Sequence, residues 1–474
     1  MSDAIVVGAG PNGLAAAATL ARAGVGVTVI EAAPTIGGGT RTSELTLPGL
    51  LHDDCSATHP FSPGSLALTS LDLQRHGLEW AWPEIDLAHP FDDGSAAAMV
   101  RSIEETAAGL GPAGSGWKRL FGSASKHFDA LSEDVMGPLA RLPRHPLRLV
   151  PFGLRAMAPV GALARALPTP RARALFGGTA AHSFSPFGRP FGSAAGLALT
   201  CACHHNGWPV ARGGSQAIAD ALAASVREHG GRIETGRPIR SLAELPDADA
   251  VVFDLAPGAV ADIAGERLPG RVARAYRRFK HGPAAFKVDL AVDGGVPWVD
   301  DVSPRAGTVH AIGSFEEIAE SERQVHAGRM PERPFVLVGQ QYLADPSRSR
   351  GSLHPIWAYA HVPHGYDGDA TESVIDQVER FAPGLRERIV ARHVRSPEDL
   401  ASYNPNYVGG DILTGANTPL QSFFRPRIAL DPYATGIPGV YICSAATPPS
   451  AGAHGMNGYN AAQSVLRHLR RSSG

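Results

Sequence analysis

The clearest pattern of apolar and polar positions lies in the first forty residues. A short apolar run at residues 4–7 precedes a glycine-rich turn, and an alanine-rich stretch then continues to about residue 23. A second, β-branched run covers residues 25–30 and ends on the acid Glu31. The order of strand, glycine turn, helix, strand and acid predicts a dinucleotide-binding βαβ unit at the start of the chain.

Farther along the chain, helical and strand patterns alternate. Residues 66–88 predict a helix that begins a second domain, and residues 216–229 predict an alanine-rich helix that leads back to the first domain. A last buried strand is predicted at 440–443, followed by a glycine-rich loop and a closing helix at 459–470. Four strand patterns predict an antiparallel sheet in the second domain, at residues 286–292, 308–312, 335–340 and 356–361.

The chain has 474 residues, which is too many for one hydrophobic core, so we expect two closely joined domains. We predict an α/β fold in which a Rossmann-like dinucleotide-binding domain is combined with an interrupted substrate domain, made of an antiparallel sheet and a helical cap. The predicted dinucleotide-binding domain takes residues 1–70, 207–280 and 425–474, and the predicted substrate and cap domain takes residues 71–206 and 281–424.

The net charge of −2 provides no general attraction to nucleic acid, so we expect no nucleic-acid partner. The four cysteines show neither zinc-type spacing nor the density of a disulfide framework, which predicts a reducing compartment and a cytoplasmic location. No charged region precedes the first strand, and no uncharged stretch has the length of a bilayer-spanning helix. We therefore expect neither a secretory signal nor a membrane span, and the composition leaves the oligomeric state open.

The run Cys-Ala-Cys-His-His at residues 201–205 raises the question of a metal site. We expect this run to form a strand, in which neighbouring side chains point to opposite faces. Four ligands on two faces cannot converge on one ion, so we predict no metal site here.

A long segment, residues 135–219, contains no Asp, Glu or Lys, and most of it belongs to the predicted substrate domain. Its prolines forbid one long helix but allow short helices with apolar and basic faces. Such a segment can be a lid that touches an apolar substrate or an anionic membrane surface. It can equally be a helical cap whose arginines pair with acids from other segments. The fixed positive charges of the segment are Arg141, Arg144, Arg148, Arg155, Arg165, Arg171, Arg173, Arg189 and Arg212.

The glycine turn has the spacing of a phosphate-binding loop. Gly8 allows the tight turn, Gly10 lets a pyrophosphate approach the backbone, and Gly13 lets the helix pack closely on the strand. The free N–H groups and the positive dipole end of the helix then face the phosphates. Glu31 is placed to accept the ribose hydroxyl groups, and its carboxylate repels a 2′-phosphate, so FAD or NAD is favoured over NADP. The predicted cofactor-binding residues of this unit are Gly8, Gly10, Pro11, Asn12, Gly13 and Glu31.

The residues that follow indicate which dinucleotide is bound. The stretch from Glu31 to Arg41 resembles the second fingerprint of the FAD-containing two-domain oxidoreductases, in which an acid is followed by a Gly-Gly pair and a basic residue. Gly37 and Gly38 match the pair, and Arg41 stands slightly later than the arginine of that superfamily. The resemblance implies FAD as the cofactor, with Gly37, Gly38 and Arg41 close to its ribose and pyrophosphate.

The end of the chain carries a second motif. Residues 439–462 predict a strand, a glycine-rich loop and a helix whose N-terminus points into the dinucleotide site. Together with the opening fingerprint and the segments 207–214 and 404–411, this motif makes the whole chain similar to the phytoene desaturase-like FAD oxidoreductases. These include bacterial carotenoid desaturases, carotene isomerases and the pyridine nucleotide-disulfide oxidoreductase domain protein 2 type. The chain departs from the family pattern at Ser444 and at residues 450–451, where the family usually has glycine.

The resemblance implies both an activity and further cofactor contacts. It implies FAD-dependent dehydrogenation of a C–C bond in an apolar small molecule, with hydride transfer to flavin N5. An amine oxidase-like reaction is one alternative, and a structural FAD in a protein that binds a lipid or a protein partner is another. The backbone near Ile239 is implied to contact the adenine, and the closing loop is implied to lie beside the isoalloxazine. From that loop the resemblance assigns to the cofactor Ala445, Gly455, Met456 and Asn457.

His454 is the predicted catalytic residue. It lies in the closing loop, where it could contact the flavin ring or take a proton. The following helix N-terminus would disfavour the imidazolium, so we expect a neutral histidine. The alternative is a histidine that only stabilises its loop. The chain shows a single dinucleotide fingerprint, so electrons are expected to pass to oxygen, a quinone or another acceptor, and the substrate itself is left open.

Overall fold

A computed structural model describes residues 2–139 and 141–472, and its first domain is built on a five-stranded parallel sheet. The opening strand lies in the middle of this sheet, where Val6 pairs with Val29 on one side and with Val252 on the other. The sheet confirms the predicted Rossmann-like fold. Its strand order is Val440–Ile442, Ala250–Phe253, Asp3–Val7, Gly26–Ile30 and Arg232–Glu234.

Helices bury the central strand of this sheet. The first helix, Pro11–Arg22, is buried from Asn12 to Ala21 and packs against the helices Gln216–Glu228 and Met456–Ser472. The closing helix therefore begins at Met456, three residues before the predicted start. Gly458 allows the close contact between the first and last helices, because a Cβ there would overlap the carbonyl oxygen of Asn12.

The second domain is built on a seven-stranded sheet. Most of its strand pairs are antiparallel, as predicted, but Ile85–Pro90 pairs with Ala306–Ala311 in parallel. The four predicted strands lie next to one another in this sheet. One further strand extends the sheet at one edge and two more extend it at the other. Its strand order is Ile389–Arg395, Ala284–Asp293, Leu353–Val362, Val336–Gly339, Ala306–Ala311, Ile85–Pro90 and Ala96–Met99.

The prediction of a helix at residues 66–88 is wrong. The helix Leu66–Thr69 ends after one turn, and Gly77 then takes a left-handed conformation with φ +88°. Ile85–Pro90 is a strand that is buried along its whole length by its sheet partners. Tertiary pairing therefore overrides the helical spacing of the apolar residues.

The segment between the two sheets forms the helical cap. Residues 201–205, predicted as a strand, belong to the helix Ser193–Asn206, because the alanine- and leucine-rich run before them continues into a buried helix. Their interpretation as a strand is wrong, and no group of His, Cys, Asp or Glu in the described part of the chain is arranged to hold a metal ion. The cap helices are Ile103–Gly109, Gly114–Trp117, Ser123–Lys126, Phe128–Val135, Pro146–Met157, Val160–Ala164, Pro170–Ala181 and Ser193–Asn206.

Short elements complete the two domains. Two small antiparallel ladders join Thr42–Ser43 to His52–Asp53 and Trp80–Ala81 to Val210–Ala211. Across residues 2–139 and 141–472, no helix combines the length and the apolar character needed to cross a bilayer. The remaining helices are Pro257–Ala264, Gly270–Arg277, Phe315–His326, Thr371–Glu379, Leu385–Arg388, Pro397–Tyr403 and Pro419–Phe423.

Candidate functional site

The glycine turn connects the central strand to the first helix at the carboxyl edge of the parallel sheet. Gly8 has φ +104°, and its N–H donates to the Ile30 carbonyl at 2.8 Å. Gly10 caps the helix in an extended conformation, so the helix begins at Pro11. A Cβ on Gly13 would overlap the Gly8 carbonyl oxygen. The close packing that the sequence assigns to this glycine is therefore present.

Glu31 follows the second strand and holds this turn in place. Its Oε2 accepts a hydrogen bond from the Ala9 N–H at 2.6 Å, and its Oε1 accepts one from the Ala33 N–H at 2.8 Å. The carboxylate also lines a large cavity. The acid predicted to bind a ribose thus also fixes the backbone of the glycine turn.

Asp254 was missed by the sequence analysis. It follows the strand Ala250–Phe253, and its Oδ2 accepts a hydrogen bond from the Gly13 N–H at 2.9 Å. Burial raises the pKa of Asp254 from its ordinary 3.8 to about 7, and the Glu31 carboxylate adds to the rise. Ligand-binding residues commonly follow the carboxyl end of a strand next to the central one. This position is the sequence feature that could have identified Asp254.

The second fingerprint wraps around the glycine turn. Gly37 has φ +117°, and its N–H donates to the Ala9 carbonyl at 2.8 Å. A Cβ on Gly38 would lie 3.0 Å from the Cα of Gly10. Arg41 donates to the Thr35 carbonyl at 2.8 Å and lies 3.8 Å from Glu31. Bare backbone and one guanidinium therefore meet at this edge of the sheet.

The closing loop forms the opposite wall. Asn457 donates to the Thr447 carbonyl at 2.8 Å and to the Ser444 carbonyl at 3.2 Å, which ties the two ends of the loop together. His454 is buried, and its Nδ1 accepts a hydrogen bond from the Met456 N–H at 3.2 Å. Burial lowers the pKa of His454 to about 4, and a hydrogen bond with the Ala451 carbonyl opposes part of this shift. The histidine is neutral at physiological pH, with its proton on Nε2.

Arg425 is a second functional candidate without a sequence signal. Its guanidinium is buried and donates to Ser450 Oγ at 2.5 Å, to Asn417 Oδ1 at 3.0 Å and to the Ala445 carbonyl at 3.4 Å. No carboxylate of the described residues lies within 4.0 Å of it to form an ion pair. Burial lowers the pKa of Arg425 to about 10, so the side chain still carries its charge at neutral pH. An unpaired buried cation in a cavity wall suits an anionic ligand.

These walls enclose a single cavity of about 1320 Å³. Most predicted site residues line the cavity. Five of the predicted residues do not line it: Gly13, Gly37, Gly455, Met456 and Asn457. The predicted residues that line the cavity are Gly8, Gly10, Pro11, Asn12, Glu31, Gly38, Arg41, Ile239, Ala445 and His454.

The other end of the cavity is apolar and lies under the cap. Trp357 and Tyr359 stand on the seven-stranded sheet with their ring centroids 5.1 Å apart. His182 lines the same region, with its Nε2 3.0 Å from the His310 Nε2, and burial lowers the pKa of His182 to about 3. The apolar residues of this end include Phe128, Leu131, Phe152, Leu154, Met157, Phe191, Ala198, Leu199, Leu337 and Phe423.

The Asn-Pro-Asn-Tyr loop at residues 404–407 approaches the glycine turn from the second domain. Asn406 accepts a hydrogen bond from the Ala256 N–H at 2.7 Å, and Tyr403 donates to the Gly38 carbonyl at 2.7 Å. Asp411 does not line the cavity and accepts hydrogen bonds from the N–H groups of its own turn. The loop and Tyr403 therefore contact the first domain at the glycine-turn end of the cavity.

Comparisons with known proteins agree with this geometry. Residues 6–68 match the family model described as an NAD(P)-binding Rossmann-like domain. Pyridine nucleotide-disulfide oxidoreductase domain-containing protein 2 of Rattus norvegicus is 25% identical, with 99% of this chain and 94% of that protein covered. Hydroxyneurosporene desaturase of Cereibacter sphaeroides is also 25% identical, with 99% and 98% covered. These two full-length similarities confirm the resemblance that the motifs predicted.

The solved structures add the class of fold. A triple mutant of putrescine oxidase, made to redesign cofactor binding, superposes with a TM-score of 0.63 at 18% identity, with 99% of both chains covered. The chain thus has the two-domain fold of the FAD-type oxidoreductases. Its relatives by sequence include a desaturase and a protein of the pyridine nucleotide-disulfide oxidoreductase type.

Proposed function

We propose that this protein is an FAD-dependent dehydrogenase that forms a C=C bond in an apolar substrate. The observation that carries the proposal is the continuity of one cavity, with the glycine turn at one end and apolar side chains at the other. Its volume of about 1320 Å³ exceeds the roughly 300–1,000 Å³ of a site for one small ligand, so there is room for a cofactor and a substrate.

The residues at the polar end fit FAD. The glycine turn and the first helix N-terminus would hold the pyrophosphate, and Glu31 would accept from the ribose. Asn12 Oδ1 and Ser444 Oγ are buried in the cavity wall and have no hydrogen-bond partner among the described residues. Both atoms could therefore bind polar groups of the cofactor.

The chain's own residues would then support the reaction. When bound, FAD supplies a ring nitrogen that accepts a hydride. In the substrate, two C–H bonds break and a C=C bond forms, one hydrogen leaving with its electron pair and the other as a proton. Arg425, which donates to the Ala445 carbonyl, would balance the negative charge that the cofactor gains when it accepts the hydride. The proton would leave the site to solvent water, because the buried His182 and His454 imidazoles, with pKa values of about 3 and 4, are too weakly basic to hold it.

In this proposal His454 would have a positioning role. Because its Nδ1 accepts from the Met456 N–H and burial lowers its pKa to about 4, the neutral ring would hold the closing loop in place and would not take the proton. The cap would exclude water from the reacting carbons. Since the chain has one dinucleotide fingerprint, the electrons would pass on to an external acceptor such as oxygen or a quinone.

An amine oxidase-like reaction is the second candidate. Aromatic rings of Trp357, Tyr359 and Tyr403 line the cavity, and the fold is shared with putrescine oxidase. However, the carboxylates that line the cavity, Glu31 and Asp254, both lie at the cofactor end. An ammonium group at the apolar end would find no carboxylate among the described lining residues, so we favour an uncharged substrate.

Anaerobic mixing separates these candidates. The purified protein should be yellow, and acid release should yield FAD. We expect isoprenoids or lipids from a small library to bleach the bound flavin, and amines to leave it oxidised. Bleaching by amines alone would favour the second candidate. Absence of bleaching by compounds of either class would favour a structural FAD in a protein that binds a lipid or a partner.

A further inference from the structure

The mouth of the cavity lies along the helix Pro146–Met157. Three of its side chains line the cavity and are also exposed to solvent: Val150 at 59%, Leu154 at 65% and Met157 at 48%. A side chain that faces both the cavity and the solvent marks an opening between them. The apolar end of the site therefore opens at this helix.

The same helix presents an apolar stripe to solvent. Leu147, Val150, Leu154 and Met157 are spaced by three, four and three residues, which places them on one face of the helix. Leu147 is 90% exposed, and Leu142, just before the helix, is 93% exposed. Large apolar side chains in one exposed row mark a surface that meets another apolar phase.

Positive charge borders this stripe. Arg141, Arg144 and Arg148 are exposed at its N-terminal end. Arg144 pairs with Glu133 at 3.2 Å, whereas Arg148 forms no ion pair within 4.0 Å among the described residues. Elsewhere in the acid-free segment, Arg171 pairs with Asp93 at 3.8 Å. Some arginines of the segment thus pair with acids from other segments, whereas the unpaired charge of Arg148 lies beside the apolar stripe.

We propose that the loop at residues 141–145 and the helix Pro146–Met157 dock on an anionic lipid bilayer, with the cavity mouth opening into the acyl region. The arginines would contact lipid phosphates, and the stripe would enter the boundary between headgroups and acyl chains. An uncharged, apolar substrate could then reach the cavity without crossing water. Docking is measured without turnover, so this inference stands or falls independently of the proposed reaction.

Vesicle sedimentation tests the proposal with the full-length, FAD-loaded protein. We expect binding to vesicles of phosphatidylcholine and phosphatidylglycerol at low salt, weaker binding to phosphatidylcholine alone, and release as the salt concentration rises. Neutralising one arginine that contacts the lipid surface should lower the affinity for anionic vesicles by roughly fivefold.

The variants use residues that do not line the cavity. Leu142→Ser combined with Leu147→Ser should weaken binding at least about tenfold, because two leucines no longer leave water. Arg148→Glu should weaken binding to the anionic vesicles, and Arg148→Lys should retain it. Val299→Ser, a 61% exposed position in a loop of the sheet domain, is the matched control and should bind as the unchanged protein does.

Three outcomes would overturn the proposal. One is absence of binding to either vesicle at every salt concentration. Another is equal binding by the double leucine variant and the Val299→Ser control. The third is a dimer in light scattering that the double leucine variant dissociates, without vesicle binding, since the stripe would then be an interface between two copies of this chain.

Discussion

The Oδ2 of Asp254 accepts a hydrogen bond from the Gly13 N–H at 2.9 Å, so a buried acid occupies the N-terminus of the first helix, which would face a bound cofactor. A pyrophosphate bound there would repel the Asp254 carboxylate. The protonated form would instead leave the positive end of the helix to the phosphates. We therefore expect this contact to make cofactor affinity depend on pH.

We expect FAD affinity to fall as the pH rises above 7, by up to about tenfold per unit, because the pKa of Asp254 is about 7 and ionisation opposes the phosphates. The unfolded chain releases this proton near pH 3.8 and the folded protein near 7. The carboxyl group therefore lowers folding stability as the pH rises between these values.

Fluorescence titration with FAD across pH 6–9 measures this effect. Asp254→Asn keeps an acceptor for Gly13 and should flatten the profile, with tighter binding than the unchanged protein at pH 9. Asp262→Asn, at an acid with 78% side-chain exposure, is the control and should keep the original profile. An unchanged profile in Asp254→Asn would contradict the assignment.

Gly13→Ala should lower FAD occupancy about tenfold or more. The new Cβ would overlap the Gly8 carbonyl oxygen and lie 3.0 Å from the Asp254 Cβ, which forces the turn away from the helix at a cost of about 1–3 kcal/mol. Gly258→Ala is the control, since a Cβ there meets nothing within 4 Å in the helix Pro257–Ala264. Equal FAD content in the two purified variants would show that the packing at Gly13 is dispensable.

His454→Ala should keep FAD bound but slow its reduction by about 3–10-fold, as expected when the closing loop loses the 3.2 Å hydrogen bond between the Met456 N–H and His454 Nδ1, worth about 1 kcal/mol. His454→Gln should recover part of the rate. With a histidine pKa of about 4, the rate at saturating FAD should not titrate with His454 between pH 6 and 8. Stopped-flow measurement of flavin reduction gives both the rate and its pH dependence. A kinetic pKa near neutral pH that is present in the unchanged protein and absent in His454→Gln would show that the histidine accepts the proton.

Arg425→Met should lower the two-electron reduction potential of bound FAD by about 30 mV or more, because about 1.4 kcal/mol of stabilisation of the reduced form corresponds to that shift. Arg425→Lys should retain most of the potential, since the charge remains. Ser450→Ala removes one hydrogen-bond partner of the guanidinium without removing charge, and serves as the control. A spectroscopic redox titration in which Arg425→Met matches the unchanged protein would rule out this electrostatic role.

The sequence predicts the parts of the molecule that depend on local order. Three features depend only on residues that are close in sequence, so their spacing is enough to predict their geometry. They are the glycine turn, Glu31 and the strand before the closing loop. Residues 66–88 carried a helical spacing but joined the second sheet through a strand paired with Ala306–Ala311. Residue spacing cannot show such a partner, which lies more than two hundred positions away.

The same limit applies to the site. Asp254 follows a strand whose place beside the opening strand is known only once the sheet is assembled. Arg425 reaches the closing loop from a segment without regular structure, and its burial rather than its sequence context makes it notable. Residues brought together only by the assembled fold were therefore missed, whereas candidates within one motif can be named from local spacing.

The most direct test of the central claim is a single anaerobic turnover. FAD-loaded protein is mixed with an apolar compound that bleaches the flavin, and the compound is then recovered for mass analysis. We predict one equivalent of product per reduced flavin, two hydrogens lighter than the substrate. Recovery of unchanged compound from bleached protein, or a preparation that contains NADP and no flavin, would contradict the account.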